Sequence, residues 1–281
     1  MLRIMIKILF LPILLFSPNV SFGQSIWLGE APTSSASIEI YQPTMDTATA
    51  EGTSVGTTVW FFSGRTPFTP QVIGITELPL AFASFREYQG DLNVSSSTVG
   101  NPYLGLEIGD QETIYGEFGI RLPATQDDEL VAQTIGGFAD VDRSDAFTPH
   151  FVTLLGKVNF IAHESTGRFF RARAGSRLEV NTENSGDPAE VYFDVNLLTG
   201  YVTPTYRMIG GYALNLAASE GAKFSDRTLQ QLGASVSFAL GRTWPGVQLR
   251  VPLDQNVNDI IDFVIGLSLT LDLGQSAERS P

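Results

Sequence analysis

The sequence contains no cysteine, only 2 histidines, and 17 basic against 30 acidic residues. Without cysteine there is no disulfide framework, no thiolate nucleophile or thiolate metal ligand, and no residue to carry a lipoprotein anchor. A net charge of −13 excludes the basic surface that nucleic-acid phosphates require. Long apolar runs are missing too: after Phe16 nothing approaches the roughly 20 consecutive apolar residues of a membrane-spanning helix. Yet 43% of the residues are hydrophobic, so the apolar side chains are dispersed along the chain.

What is present begins with a leader. Arg3 and Lys7 precede the apolar run Ile8–Phe16, and Ser21-Phe22-Gly23 puts small residues where a signal peptidase reads. Residues 1–23 are expected to be a signal peptide cleaved before Gln24, with an uncleaved anchor as the weaker alternative because the run is short. Losing Arg3 and Lys7 takes the charge from −13 to −15.

The dispersed apolar residues follow a period of two, which puts successive side chains on opposite faces of a strand. Phe263, Ile265, Leu267, Leu269 and Leu271 alternate with Val264, Gly266, Ser268, Thr270 and Asp272. Leu232, Ala234, Val236 and Phe238 alternate with Gly233, Ser235 and Ser237. Elsewhere the polar face carries full charges, as where Phe170, Ala172 and Ala174 alternate with Arg171 and Arg173. About twelve strands are expected, starting near Ser37, Ser54, Gln71, Asn101, Thr113, His150, Phe169, Glu190, Tyr206, Leu229, Gly246 and Ile261. Pro79 is expected to bend or break the third.

The connections alternate in length. Met45–Thr53, Arg86–Gly100, Ala124–Pro149, Asn181–Ala189 and Ser219–Thr228 read as long; Gly64–Pro70, Gly109–Glu112, Glu164–Arg168, Val202–Thr205 and Gly241–Pro245 read as shorter. Strict alternation sends every long loop to one end of an up-and-down sheet. That pattern predicts an all-β chain, a transmembrane antiparallel β-barrel of the bacterial outer membrane, with both ends periplasmic. The barrel is expected over 24–273, followed by a polar tail, 274–281. On the longest loop, residues 127–141 read either as one helix or as a mobile loop. Trp60, Trp244, Tyr103, Tyr201, Tyr206 and Tyr212 read as an aromatic girdle or as core residues.

From about Gln71 to Leu273 the chain resembles the outer-membrane transporters linked by name to the MetA pathway of phenol degradation. The carriers are Gly100-Asn-Pro-Tyr-Leu-Gly-Leu-Glu107, where Asn101 stands in place of the usual Asp, Arg121-Leu-Pro-Ala124, Pro245-Gly-Val-Gln-Leu-Arg-Val-Pro252 and Gly266-Leu-Ser-Leu-Thr-Leu271. The resemblance implies a barrel and transport of small, apolar molecules. The last strand also resembles the signal read by the barrel assembly machinery, through Gly266, Leu269 and Leu271.

Alternation assigns Glu117, Arg121, Lys157, Arg171, Arg173, Arg177, Glu179, Asp194, Arg207 and Arg250 to the lumen. Three readings follow: a small-molecule channel, which the arginines bias toward anions; a structural barrel plugged by paired side chains; and an outer-membrane lipid-modifying enzyme. The enzyme is the weakest reading. His163 with Glu164 and Ser165, and His150 near Ser144 and Asp145, read as solvated turns, and no catalytic residue is assigned. Asp127, Asp128 and Glu129, and Asp140, Asp142 and Asp145, match no defined calcium loop and read as solvated acidic loops, so no metal site or cofactor is expected. The expected partners are outer-membrane lipid, the assembly machinery and a small solute, and not nucleic acid.

Overall fold

The computed structural model describes residues 25–28, 33–45, 53–87, 93–183, 189–218 and 227–274. The expected signal peptide and residues 275–281 of the tail lie outside them. Strands β1 (Ser35–Met45), β2 (Thr53–Thr69), β3 (Val72–Glu87), β4 (Asn93–Val99), β5 (Tyr103–Asp110), β6 (Ile114–Arg121), β7 (Phe151–His163), β8 (Arg168–Asn181), β9 (Glu190–Val202), β10 (Tyr206–Ala217), β11 (Thr228–Phe238), β12 (Thr243–Pro252) and β13 (Ile261–Asp272) form one antiparallel sheet. Pairing of β1 with β13 and of β2 with β3 closes it. Every strand but β4 is paired on both sides, and β4 pairs with β3 alone.

The wall has twelve staves, because β4 and β5 share one. β4 pairs with Leu80–Arg86 of β3, and β5 pairs with Val72–Glu77. Alternation predicts one long loop over Arg86–Gly100 and a fourth strand starting near Asn101. In the structure Asn93–Val99 is a strand and Asn101 sits in the split before Tyr103. Pro79 neither breaks nor ends β3. Its carbonyl accepts the Gly100 N–H at 2.9 Å. A residue's N–H and C=O point the same way in an antiparallel ladder, so the missing proline N–H faces the split, where no ladder partner is needed. The connection expected at Gly64–Pro70 is also mostly strand, since β2 runs to Thr69.

Short turns join β2 to β3, β5 to β6, β7 to β8, β9 to β10 and β11 to β12, all at the end where β1 starts and β13 stops. The longer connections gather at the other end. Outward positions are apolar and exposed, as at Phe118 (59%) and Leu267 (56%), because their partner is lipid rather than protein. No described helix is long and apolar enough to cross a membrane. The aromatic residues divide. Tyr201 and Tyr206 are exposed at the short-turn end, but Tyr103 is buried inside. Trp244 turns inward beneath Arg207, and Trp60 lies in mid-strand opposite Leu80.

The 29-residue connection 122–150 does not stay outside. Helix α1 (Leu130–Ala139) and the 3-10 segment Val141–Phe147 fold into the barrel. Ala132, Ile135 and Ala139 recur on one helical face, and with Phe147 they pack on Tyr41, Val59, Phe61, Ala81 and Ala83 inside β1–β3. The acidic residues at 127–129 precede this helix, and its first turn contains none.

Candidate functional site: the charged lumen

Nine of the ten side chains assigned to the lumen by alternation, all but Arg207, are buried at inward positions: Glu117, Arg121, Lys157, Arg171, Arg173, Arg177, Glu179, Asp194 and Arg250. Arg207 is half-buried at the short-turn rim, with its guanidinium 3.9 Å from the centroid of the Trp244 ring. Eight of the nine lie side by side on the adjacent staves β6–β9, and Arg250 stands apart on β12. Glu117 pairs across with Lys157, and Arg173 with Asn159 and Asn196. Burying so many charges is tolerable only with partners.

Many of those partners come from the segment after α1, whose acidic residues read in sequence as a solvated loop. Asp142 accepts hydrogen bonds from Lys157 Nζ at 3.0 Å, Asn196 Nδ2 at 2.9 Å and Arg173 Nη1 at 3.2 Å. Arg143 donates to Glu39 at 3.1 Å and Glu77 at 2.9 Å, with its guanidinium 3.6 Å from the centroid of the Phe61 ring. Asp145 receives Arg121 Nε at 3.1 Å and faces Arg177 at 3.2 Å. Asp140 pairs with Arg250 at 3.0 Å and caps the 3-10 segment by accepting the Asp142 N–H at 3.2 Å. Each charged side chain from Asp140 to Asp145 therefore meets an opposite charge on the wall.

Burial works against the Asp142 carboxylate, yet Arg173 and Lys157 beside it hold its pKa well below the ordinary carboxylate range. On the strands, seven buried cations (Arg65, Arg121, Lys157, Arg171, Arg173, Arg177, Arg250) stand against six buried carboxylates (Glu39, Glu77, Glu107, Glu117, Glu179, Asp194). The segment adds three carboxylates and one arginine, so an anionic plug sits in a wall with an excess of positive charge.

The other half of the lumen is closed by the 3-10 turn Ile26–Leu28, which strand alternation does not mark. Ile26, Trp27 and Leu28 are buried, the first two among Tyr115, Ile161, Phe169, Leu198 and Ile209. Trp27 lies on Gly233, where a β-carbon would stand 2.6 Å from the indole, so glycine is needed for the close approach. Ser235 donates to the Trp27 carbonyl, and the Ser25 N–H donates to Glu39 at 3.3 Å. Three consecutive apolar residues ahead of the first strand were the available signal in sequence.

Between the two plugs lies a void of about 50 Å³, bounded by Ser25, Glu77, Arg121, Asp142 and Lys157. That holds about three or four waters. A larger cavity of about 340 Å³ lies toward the exterior, between α1 and the wall at Arg177, Tyr192 and Asn215. The two histidines lie outside the lumen network. His163 is exposed at the end of β7 with its ring 5.3 Å from Phe169, and His150 lies between Asp127 and Glu183.

No family model matches the chain, and no curated protein matches it. Solved structures do. The COG4313 outer membrane channel from Pseudomonas putida F1 superposes with a TM-score of 0.58 at 11% identity, over 89% of this chain and 98% of that one. LpxR from Salmonella typhimurium superposes with a TM-score of 0.50 at 8% identity, over 85% and 99% of the two chains. At such identities the likeness is one of fold. A closed twelve-stave barrel with an apolar outer surface and these structural relatives is a protein of the bacterial outer membrane.

Proposed function

We propose that the barrel is a channel for small anionic solutes, closed at rest by its own β6–β7 segment. One observation supports this most: Asp142 and Asp145 occupy the positions an anion would take among Arg121, Lys157, Arg173 and Arg177. A plug held by exchangeable ion pairs is displaceable, whereas a wall filled by its own side chains is not. With the segment withdrawn, the strands keep an excess of positive charge and favour anions. The reading requires no turnover and no cofactor. It takes membrane lipid as the surroundings and the final strand as the part read by the assembly machinery.

Conductance of the refolded protein in planar bilayers tests it. Low wild-type current, a larger anion-selective current in Asp142→Asn, and reversal of selectivity in Asp142→Asn/Arg173→Glu are expected. The void of about 50 Å³ favours a second reading, a permanently plugged structural barrel, which predicts no current in any variant. Uptake of an uncharged apolar solute into liposomes without current would support instead the apolar cargo implied by the sequence resemblance.

A further inference from the structure

We propose that Asp127, His150 and Glu183 form a site for a divalent transition-metal ion of the zinc type at the external mouth of the barrel. The three residues come from the start of the β6–β7 connection, its end, and the start of the β8–β9 connection. One ligand atom from each lies within 4.8 Å of the others.

The imidazole supplies the argument for a cation. Its Nε2 contacts a carboxylate oxygen of Asp127, and its Nδ1 stands 3.1 Å from Glu183 Oε1. A neutral imidazole has one N–H, so it satisfies one carboxylate and turns a lone pair on the other. A cation shared among the three removes that conflict. The donor set narrows the choice: one nitrogen and two carboxylate oxygens suit zinc and its neighbours, whereas calcium takes six or more oxygens. Asp127 and Glu183 are more than half exposed, which leaves an entry path and room for water as a fourth ligand. Backbone bonds fix the spacing, since Thr182 donates both its N–H, at 2.8 Å, and its hydroxyl, at 2.6 Å, to the His150 carbonyl. A bound ion therefore ties the two ends of the plug-bearing connection to each other and to the neighbouring loop.

Titration of the refolded full-length protein with Co²⁺ at neutral pH, in chelator-treated buffer, tests the site. Saturable binding of one Co²⁺ per chain is expected, with visible absorption of four-coordinate cobalt, displaced by Zn²⁺ and not by equal Ca²⁺. His150→Ala should abolish the absorption, and Asp127→Asn or Glu183→Gln should weaken binding more than tenfold. Heat-shifted gel mobility confirms that each variant is folded. Absence of one-to-one binding by folded wild type, equal binding by His150→Ala, or displacement by Ca²⁺ would overturn the proposal. Binding of no metal, with a pH-dependent approach of the two loops, would assign the cluster to a protonated histidine instead.

Discussion

Asn101 donates its side-chain amide to the Thr148 carbonyl at 2.6 Å, while its amide oxygen receives the backbone N–H groups of Ala124 at 2.8 Å and Thr125 at 3.1 Å. One side chain in the split between β4 and β5 thus holds both ends of the plug connection. It also donates to the Asp145 carbonyl at 3.3 Å. An aspartate at this point would accept the same N–H groups and donate nothing. Asn101→Asp is therefore expected to cost about 2 kcal/mol by losing two hydrogen bonds and setting a carboxylate against two carbonyls. Faster proteolysis within 122–150, on a barrel that keeps its heat-shifted mobility, is the readout.

Asp142→Asn removes the charge shared by Lys157 and Arg173. Breaking a buried ion pair from one side costs about 3–5 kcal/mol. The plug should loosen before the barrel does, so denaturant should release the β6–β7 segment at a lower concentration than in wild type while strand circular dichroism is unchanged. Coincident loss of both signals at the wild-type midpoint would contradict the prediction.

Acid should remove the contribution of Asp142 to plug seating only at low pH. The folded-state pKa of Asp142 lies below its unfolded value, because Arg173 and Lys157 outweigh the effect of burial. Its contribution to plug seating is complete above the unfolded value of about 3.9 and is lost as pH falls through the depressed folded value. The difference in bilayer current between wild type and Asp142→Asn should be flat from pH 7 to about pH 4 and shrink only below that. Shrinkage near pH 6 would point to another group.

Gly233→Val places side-chain carbons in the space of the Trp27 indole and should expel the Ile26–Leu28 turn from the lumen. The sequence has 3 tryptophans, so the effect is best read with Trp60 and Trp244 replaced by Phe. Trp27 emission should shift to the red and become accessible to acrylamide, while Gly210→Val, on the outward face of the neighbouring strand, should leave it unchanged.

The fold was legible where one face of a strand meets lipid and the other meets charge. β7, β8 and β11–β13 alternate cleanly because most of their outward positions are apolar. β1–β3 were harder to read because their inner face is apolar too. Val59 and Phe61 point inward at α1 while Trp60 and Phe62 point outward, which hides the period. The inward charges of β6–β9 were legible for the same reason as their strands. Their partners were not: Asp142 lies 15 residues from Lys157 and 54 from Asn196 in sequence, and nothing local distinguishes it from a solvated acid.

The sequence by itself determined a lipid-facing wall, its antiparallel up-and-down order and the inward placement of the central charges. All three follow from a period of two and from connection length, which are local properties. Whether the lumen is open was decided only by tertiary structure. A polar connection long enough to leave the barrel is also long enough to enter it. Its direction is set by the sum of an apolar helical face meeting Val59 and Phe61, and of Asp140 to Asp145 meeting charges on distant strands. Those energies exist only once the wall has closed and brought the strands around one axis.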